Sequence, residues 1–337
     1  MVKPPFEISD NIINVVCDIT NKLGKLEVSF DMKKSLFLTK TSKIKSVCFS
    51  CAIESNTLTE QQVEGIINGK MIAAPPNEIL EVTNAYGAYL IIQGFKAYKI
   101  KSFLEAHKAF TAHLLSDAGK LRTGEVAASE NEKLARAGAQ PRFIYDLMND
   151  LLNWASVSDM NPLIKACIMH YEIRTIHPFT DGNGRVARLW QSVVLYNYNK
   201  IFELIPIEAL IYENQWRYYE SIEASRRNNS ARKFIEFMLE MISKAIDSFN
   251  SEKDESREIK DEYLKRLTKY EKEILEIITH NFDNDDYFSM EKLSQKTNKS
   301  NSGIRNNLKK LKSEEILFTV GENRGRKYKV NDDIFLQ

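Results

Sequence analysis

Apolar residues recur at helical spacing along most of this chain, and little interrupts them: 337 residues hold 13 glycines and 8 prolines. Long segments with that spacing fill helices rather than strands, so the fold class expected is mainly α. The length suits two or three domains, and a hydrophobic share of 43% is enough for their cores. Residues 1–98 read as an N-terminal helical region in which a loop at 73–79, AAPPNEI, precedes a long helix. Residues 99–247 read as a second helical region. It is broken at GKLRTGEVAAS, 119–129, which reads as a turn with a short β-hairpin. The stretch 248–262, SFNSEKDESREIKDE, is polar and charged, and marks a linker or helix extension.

Residues 263–337 change character. Ile274, Leu275, Ile277 and Ile278 lie on a first helix, and FSMEKLSQKT gives a short second one. KSNSGIRNNLKKLKSEEIL gives a third, capped by Ser300 or Ser302. LFTVGENRGRKYKV then supplies two alternating strands around a basic, Gly-rich turn. Helix, short helix, helix, hairpin is the order of a winged helix-turn-helix domain.

Lys plus Arg number 47 against 46 Asp plus Glu. Global charge therefore points to no polyanionic partner, and any nucleic-acid surface must be a local patch. No run of about 18 apolar residues is present, so no membrane span is expected. MVKPPFEISD lacks the apolar core of a signal peptide, and a cytoplasmic protein is the expectation. Four cysteines do not make a disulfide scaffold. Cys48 and Cys51 form a CxxC, but no second CxxC or His pair lies near, and both fall on an apolar helical face. They read as plain core cysteines.

The segment HPFTDGNGRVAR, 177–188, is different in kind. Pro178 discourages continuation of the preceding helix and pushes His177 toward an extended conformation. DGNG is a tight turn, and RVARLWQSVVLYNY opens a second apolar helix. Backbone N–H groups at a helix N-terminus make an anion site, and Gly182 and Gly184 let an anion approach closely. Arg185 and Arg188 share a face of the first turn, where a cation opposes the helix dipole by about 0.3–1 kcal/mol. An external anion would compensate both. Asp181 can hold Mg²⁺ together with substrate phosphates, and His177 can act as a general base. A base, a metal ligand, a phosphate nest and two charge clamps suit phosphoryl or nucleotidyl transfer. His107, His113, His170 and His280 have no such company and read as structural.

The segment resembles the Fic-domain motif HPFx[DE]GNGRxxR at every fixed position. The resemblance implies a Fic-type helical bundle with a small hairpin flap, and a protein adenylyltransferase that moves AMP from ATP to a target hydroxyl. It implies that His177 deprotonates the hydroxyl and that Asp181 holds Mg²⁺ between the α- and β-phosphates. Asn183 and the amides around Gly182 and Gly184 would hold the phosphates, Arg185 and Arg188 would contact the β- and γ-phosphates, and Phe179 would be a buried anchor. GKLRTGEV resembles the family flap, which docks the target as an added strand with Arg122 and Val126; the continuation, AASENEKLARAGAQP, departs from the family's Gly-containing one. RYYESI, 217–222, resembles the segment that places a Tyr by the adenine, and Tyr218 fits it. The alternative for Tyr218 is a helix-surface side chain. The resemblance, not the residues, also suggests a homodimer.

SVCFSCAIESN, 46–56, carries a second signal. On a helix, Ile44, Val47, Cys48, Cys51 and Leu58 form one stripe, and Glu54 lies beside it. A carboxylate facing a core needs a partner. Ser50 to Ser55 resembles the Fic inhibitory motif [ST]xxxE[GN], with Ser55 where Gly or Asn is usual. The resemblance implies that Glu54 pairs with Arg188 and removes it from the γ-phosphate. The same pocket run in reverse would make Glu54 position water in a de-AMPylase. A rival reading is a nucleotide-sensing DNA-binding regulator. Between Lys299 and Lys329 the basic residues Lys299, Arg305, Lys309, Lys310, Lys312, Arg324, Arg326, Lys327 and Lys329 face only Glu314, Glu315 and Glu322, a patch suited to DNA phosphates. In that reading Ser302, Arg305, Asn306 and Lys309 approach the bases.

Overall fold

The computed structural model describes residues 3–29, 36–125, 138–282, 287–321 and 325–331. Two compact units divide the chain, one of residues 1–30 and 40–247, the other of 31–39 and 248–337.

The first unit is helical. Its order is α1 (Asp10–Ser29), α2 (Leu36–Ile53), α3 (Glu60–Ile67), α4 (Pro76–Leu90), α5 (Ile100–Thr111), α6 (Ile144–Val157), α7 (Pro162–Ile176), α8 (Asn183–Tyr198), α9 (Ile207–Glu213), α10 (Gln215–Arg227) and the start of α11 (Arg232–Arg266). The charged stretch 248–262 lies within α11. Among the described residues of 119–125 there is no strand, and Val126 with the rest of the expected hairpin lies outside the described residues.

α7 and α8 are the centre of this unit and pack against each other along their length. α7 is buried on every side from Leu163 to Tyr171, as a helix apolar all round must be. Asn161 caps it by accepting from the Leu163 N–H at 2.9 Å, with Pro162 at the first helical position. α8 is buried through its first nine residues although these include Arg185, Arg188 and Gln191. Polar side chains inside the central helix mark where the unit carries more than packing. The CxxC thiols are free and buried; burial pushes Cys48 up to about 11 and Cys51 up to about 12, so both stay protonated and inert.

The second unit orders its described elements as α12 (Lys269–Asn281), β1 (Phe288–Ser289), α13 (Met290–Ser294), α14 (Asn301–Ser313), β2 (Leu317–Val320) and β3 (Lys327–Val330). The strands form an antiparallel sheet, β1-β3-β2, with Leu317 opposite Val330 and Phe288 opposite Tyr328. β1, two residues long, is too short to show periodicity and was not expected. Ser300 is the cap of α14, accepting from the Gly303 N–H at 3.2 Å. Ile274, Leu275, Ile278, Phe288, Ile304 and Leu308 meet in one apolar core.

Candidate active site

The site is assembled at the junction of α7 and α8. Contrary to expectation, His177 is not extended: it is left-handed, φ 55°, ψ 62°. Pro178 bars the right-handed helical region, yet the His177 N–H still closes α7 on the Ile173 carbonyl at 3.0 Å. The left-handed cap satisfies both. For a non-glycine residue this is strained backbone, held by Arg122, whose Nε donates to the His177 carbonyl at 2.7 Å. Arg122 also donates to the carbonyls of Gly124 (2.9 Å) and Ala139 (2.6 Å). It is buried and ties three backbone segments together.

The turn itself is fixed by side chains, among them His107 and Phe179, which were expected to be structural. His107 on α5 accepts from the Gly119 N–H at Nδ1 (2.9 Å), so its Nε2 carries the proton and donates to the Asp181 carbonyl (3.0 Å). Its ring stacks on Phe179 at 3.6 Å, and Phe179 is fully buried. The Asn183 amide both donates to and accepts from the Phe179 backbone at 2.9 Å. Both ends of that side chain are thus committed to the loop. Gly182, φ 79°, is the N-cap of α8 and adopts a conformation that disfavours any other residue.

Arg185 and Arg188 are both almost fully buried. Arg185 lies 3.2 Å from Glu81 on α4 and 3.4 Å from Asp181. Arg188 donates from Nε to Ser50 Oγ (3.0 Å) and from Nη2 to the Ser50 carbonyl (2.8 Å) and Glu54 Oε1 (2.9 Å). Its Nη1 is buried and finds no hydrogen-bond partner among the described residues. The Glu54 carboxylate rests on Gly184, at the point a methyl group there would fill. A carboxylate therefore occupies the anion position over the first turn of α8. Burial alone would raise Glu54, but Arg188, Arg174 and Arg185 outweigh it and hold the carboxyl at about 2. Burial first, then the charges of Arg174 and Arg122, push His177 down to about 4. Its imidazole is neutral at neutral pH and can accept a proton.

α2 stops at Ile53 rather than running on to Leu58. The Asn56 N–H returns to the Cys51 carbonyl (3.2 Å) and the Ser55 N–H to Ala52 (3.0 Å), a Schellman closure with Ser55 left-handed at φ 75°. This explains why Gly or Asn is usual after the glutamate. The end of α2 is clasped from three sides. Asn56 donates to Glu81 (2.9 Å), Gln215 on α10 donates to the Ile53 carbonyl (3.0 Å), and Arg188 holds Ser50 and Glu54. Further up the same face, Ser42 donates to the Leu204 carbonyl (2.8 Å), Lys43 pairs with Glu203 (2.7 Å) and Ser46 donates to the buried Glu208 (2.8 Å). Glu208 also accepts from Tyr89 (2.6 Å) and Ser192 (3.2 Å).

Tyr218 is fully buried, with its hydroxyl 2.9 Å from His170 Nε2 and its ring among Tyr219, Phe234 and Phe237. It is not a helix-surface residue, and it shows no open face in this conformation. His170, pushed down to about 3 chiefly by burial, is locked between Tyr218 and Gln191. Arg174, Glu81, Glu208 and the loop role of His107 were missed from sequence. Arg174 and His107 sit in helices where spacing alone reads as packing, and Glu81 and Glu208 meet Arg185 and Ser46 only across more than 100 residues of chain.

Residues 98–195 match the Fic/DOC family. The chain carries a Fic domain. Over 256 residues it is 28% identical to the protein adenylyltransferase Fic of Nematostella vectensis, covering 72% of this chain and 56% of that one. Over 285 residues it is 24% identical to the protein adenylyltransferase fic-1 of Caenorhabditis elegans, covering 80% and 53%. The chain thus spans about half the length of these curated relatives. The crystal structure of a Fic family protein from Desulfovibrio desulfuricans G20 superposes with a TM-score of 0.76 at 28% identity, over 98% of each chain. Fic-1 (aa134–508) from C. elegans shares the fold, with a TM-score of 0.60 at 20% identity over 73% of each chain. The Fic domain in this chain contains His177 and the whole first turn of α8, while Ser50 and Glu54 reach that turn from outside the matched residues.

Proposed function

We propose that this chain transfers AMP from ATP to a hydroxyl side chain of a target protein, and that Glu54 holds the activity down. The observation that carries the reading is the Glu54 carboxylate on Gly184, against Arg188. A first helical turn that accepts an internal carboxylate is built for an anion, and a nucleotide polyphosphate would have to displace it. The similar proteins from N. vectensis and C. elegans are named protein adenylyltransferases, which supports the same chemistry.

In this mechanism the neutral His177 takes the proton of the attacking hydroxyl. The hydroxyl oxygen bonds to the α-phosphorus, the bond to the bridging β-phosphate oxygen breaks, and pyrophosphate leaves. Arg185 and Arg188 bind the phosphate chain. Mg²⁺, when bound, offsets charge on the phosphates. Asp181 would hold it, since its carboxylate is two-thirds exposed beside the cradle. The described residues contain no group of three or more metal-ligating side chains, which fits a cation carried largely by substrate oxygens. Incubation with α-labelled ATP and Mg²⁺, followed by mass spectrometry for AMP, tests the reading. His177→Ala should lower labelling by about 10²–10⁴-fold while ATP still binds; labelling equal to the unaltered chain removes His177 as base.

We infer for the second unit a polyanion-binding surface in the manner of a winged helix. Arg305, Asn306, Lys309, Lys312 and Arg326 line a groove of about 970 Å³. Lys310 pairs with Glu314 and Lys299 with Glu273, and Arg324 lies outside the described residues. Duplex DNA titrated with the full chain should bind with an affinity that falls steeply with salt, and Arg305→Ala with Lys309→Ala should flatten that slope. No helix among the described residues is long and apolar enough to cross a membrane.

A further inference from the structure

Three arginines, not two, surround the first turn of α8. Arg174 stands in the last turn of α7, three residues before His177, and is 5% exposed. A cation there complements the helix dipole, but its neighbours Ile173 and Ile176 are core, and a guanidinium carried into a core needs anionic company. It points to the same place as Glu54. A Cβ on Gly184 would lie 2.8 Å from Arg174 Nη1 and would collide with the Glu54 carboxylate. Glu54 feels Arg174 second only to Arg188 and ahead of Arg185. Arg185 has other carboxylates at hand in Glu81 and Asp181. Arg188 and Arg174 are the pair that converges on Glu54 itself.

We propose that Arg174 is a third phosphate-binding arginine of this site, contacting the nucleotide polyphosphate over Gly184 beside Arg188 once Glu54 withdraws. The inference rests on the adenylyl-transfer reading only for the kind of ligand. One carboxylate offsets one charge, whereas the vacated turn would leave Arg188 and Arg174 facing it beside the already paired Arg185, and a polyphosphate carries the several negative charges that such a pair needs.

The charged groups that act on His177 are Arg174 on its own helix, Arg122 from the segment before α6, Asp181 from the following turn and Glu54 from α2, and Arg174 is the strongest of them. Phosphates bound to Arg174 would offset that one charge, while burial, the larger cause, stays in place.

The test uses the full chain carrying Glu54→Gly, with ATP and Mg²⁺ titrated calorimetrically. Adding Arg174→Met, which keeps the aliphatic stem and removes the charge, should weaken ATP binding by about tenfold to a hundredfold. Arg174→Lys should recover part of the loss, and it serves in place of the methionine variant if that chain melts early. The His177 ring protons, followed by NMR against pH, should titrate higher when ATP is added to Glu54→Gly, and higher already without ATP in the methionine variant. ATP affinity unchanged by Arg174→Met overturns the proposal. If Glu54→Gly binds ATP but labels nothing, the adenylyl-transfer reading fails and the Arg174 contact stands on the titration. If Glu54→Gly binds no ATP, both fall.

Discussion

The two units keep their charges in opposite places. Around α8 the first unit encloses Arg174, Arg185 and Arg188, each 5% exposed or less, with Glu54 and Glu208 set against them and against hydroxyls. The second unit has an apolar core, with Ile274, Leu293, Ile304, Leu308 and Leu311 fully buried, and carries Arg305, Lys309 and Lys312 on the wall of an open groove. A buried charge is stable only beside its partner. A site built that way responds strongly when one partner is exchanged for another, here a carboxylate for phosphates. An apolar core has no such alternative, and exposed charges act weakly, through salt-screened attraction.

The sharpest contrast comes from breaking each interior in turn. Leu308→Ala should destabilise the second unit by about 2–5 kcal/mol, and ATP should restore none of it in thermal melts. Glu54→Gly should behave otherwise. It leaves Arg188 uncompensated, so the melting temperature should fall without ATP and rise more on adding ATP than it does in the unaltered chain. If the Glu54 pairing opposes ATP by about 3 kcal/mol, labelling should rise about a hundredfold. Equal ATP response in both chains would show that the Glu54 carboxylate and the nucleotide do not compete.

Acid should separate the units next. His177 and His170 are held near 4 and 3 against an ordinary value of 6.5, and His107 is also lowered, in each case chiefly by burial. Between pH 6.5 and about 4 the unfolded chain therefore binds more protons than the folded one. Stability is full above that window and is lost as pH falls through it, at up to about 1.4 kcal/mol per pH unit for each histidine. Glu54, held at about 2, adds a loss of the same sign below 4.5. Thermal melts across this range should show the first unit failing first; a transition independent of pH would mean these imidazoles are not protected. The smallest expected effect is Ser55→Gly, which removes a left-handed serine at φ 75° and should stabilise the closure after α2 by about 1 kcal/mol, read as a small rise in melting temperature with labelling lowered rather than raised.

Much of this was legible in the residue order. Helical periodicity announces its own geometry, so α7, α8, α12 and α14 fall where the spacing places them. The order HPFTDGNGR fixes a turn at a helix start because proline and glycine act on the backbone next to them. The pairing of Glu54 with Arg188 was expected from resemblance, and the two do meet at 2.9 Å. Other contacts were not legible in the residue order, for one shared reason. Arg122 turned inward to three carbonyls, Asn183 to the Phe179 backbone and Tyr218 to His170, because a polar side chain goes where an unsatisfied group faces it, and that depends on the neighbours the fold brings.

By itself, then, the sequence determined the helices, the turn at 177–185 and the chemical types gathered there, since propensity, capping and turn formation act over a few residues. Only the tertiary structure decided which carboxylate faces which arginine. Arg174 and Gly184 are ten residues apart, Glu54 and Arg188 are 134, and Ser46 and Glu208 are 162. Coulomb attraction and desolvation depend on distance through space and on excluded water, and neither quantity exists until the helices pack.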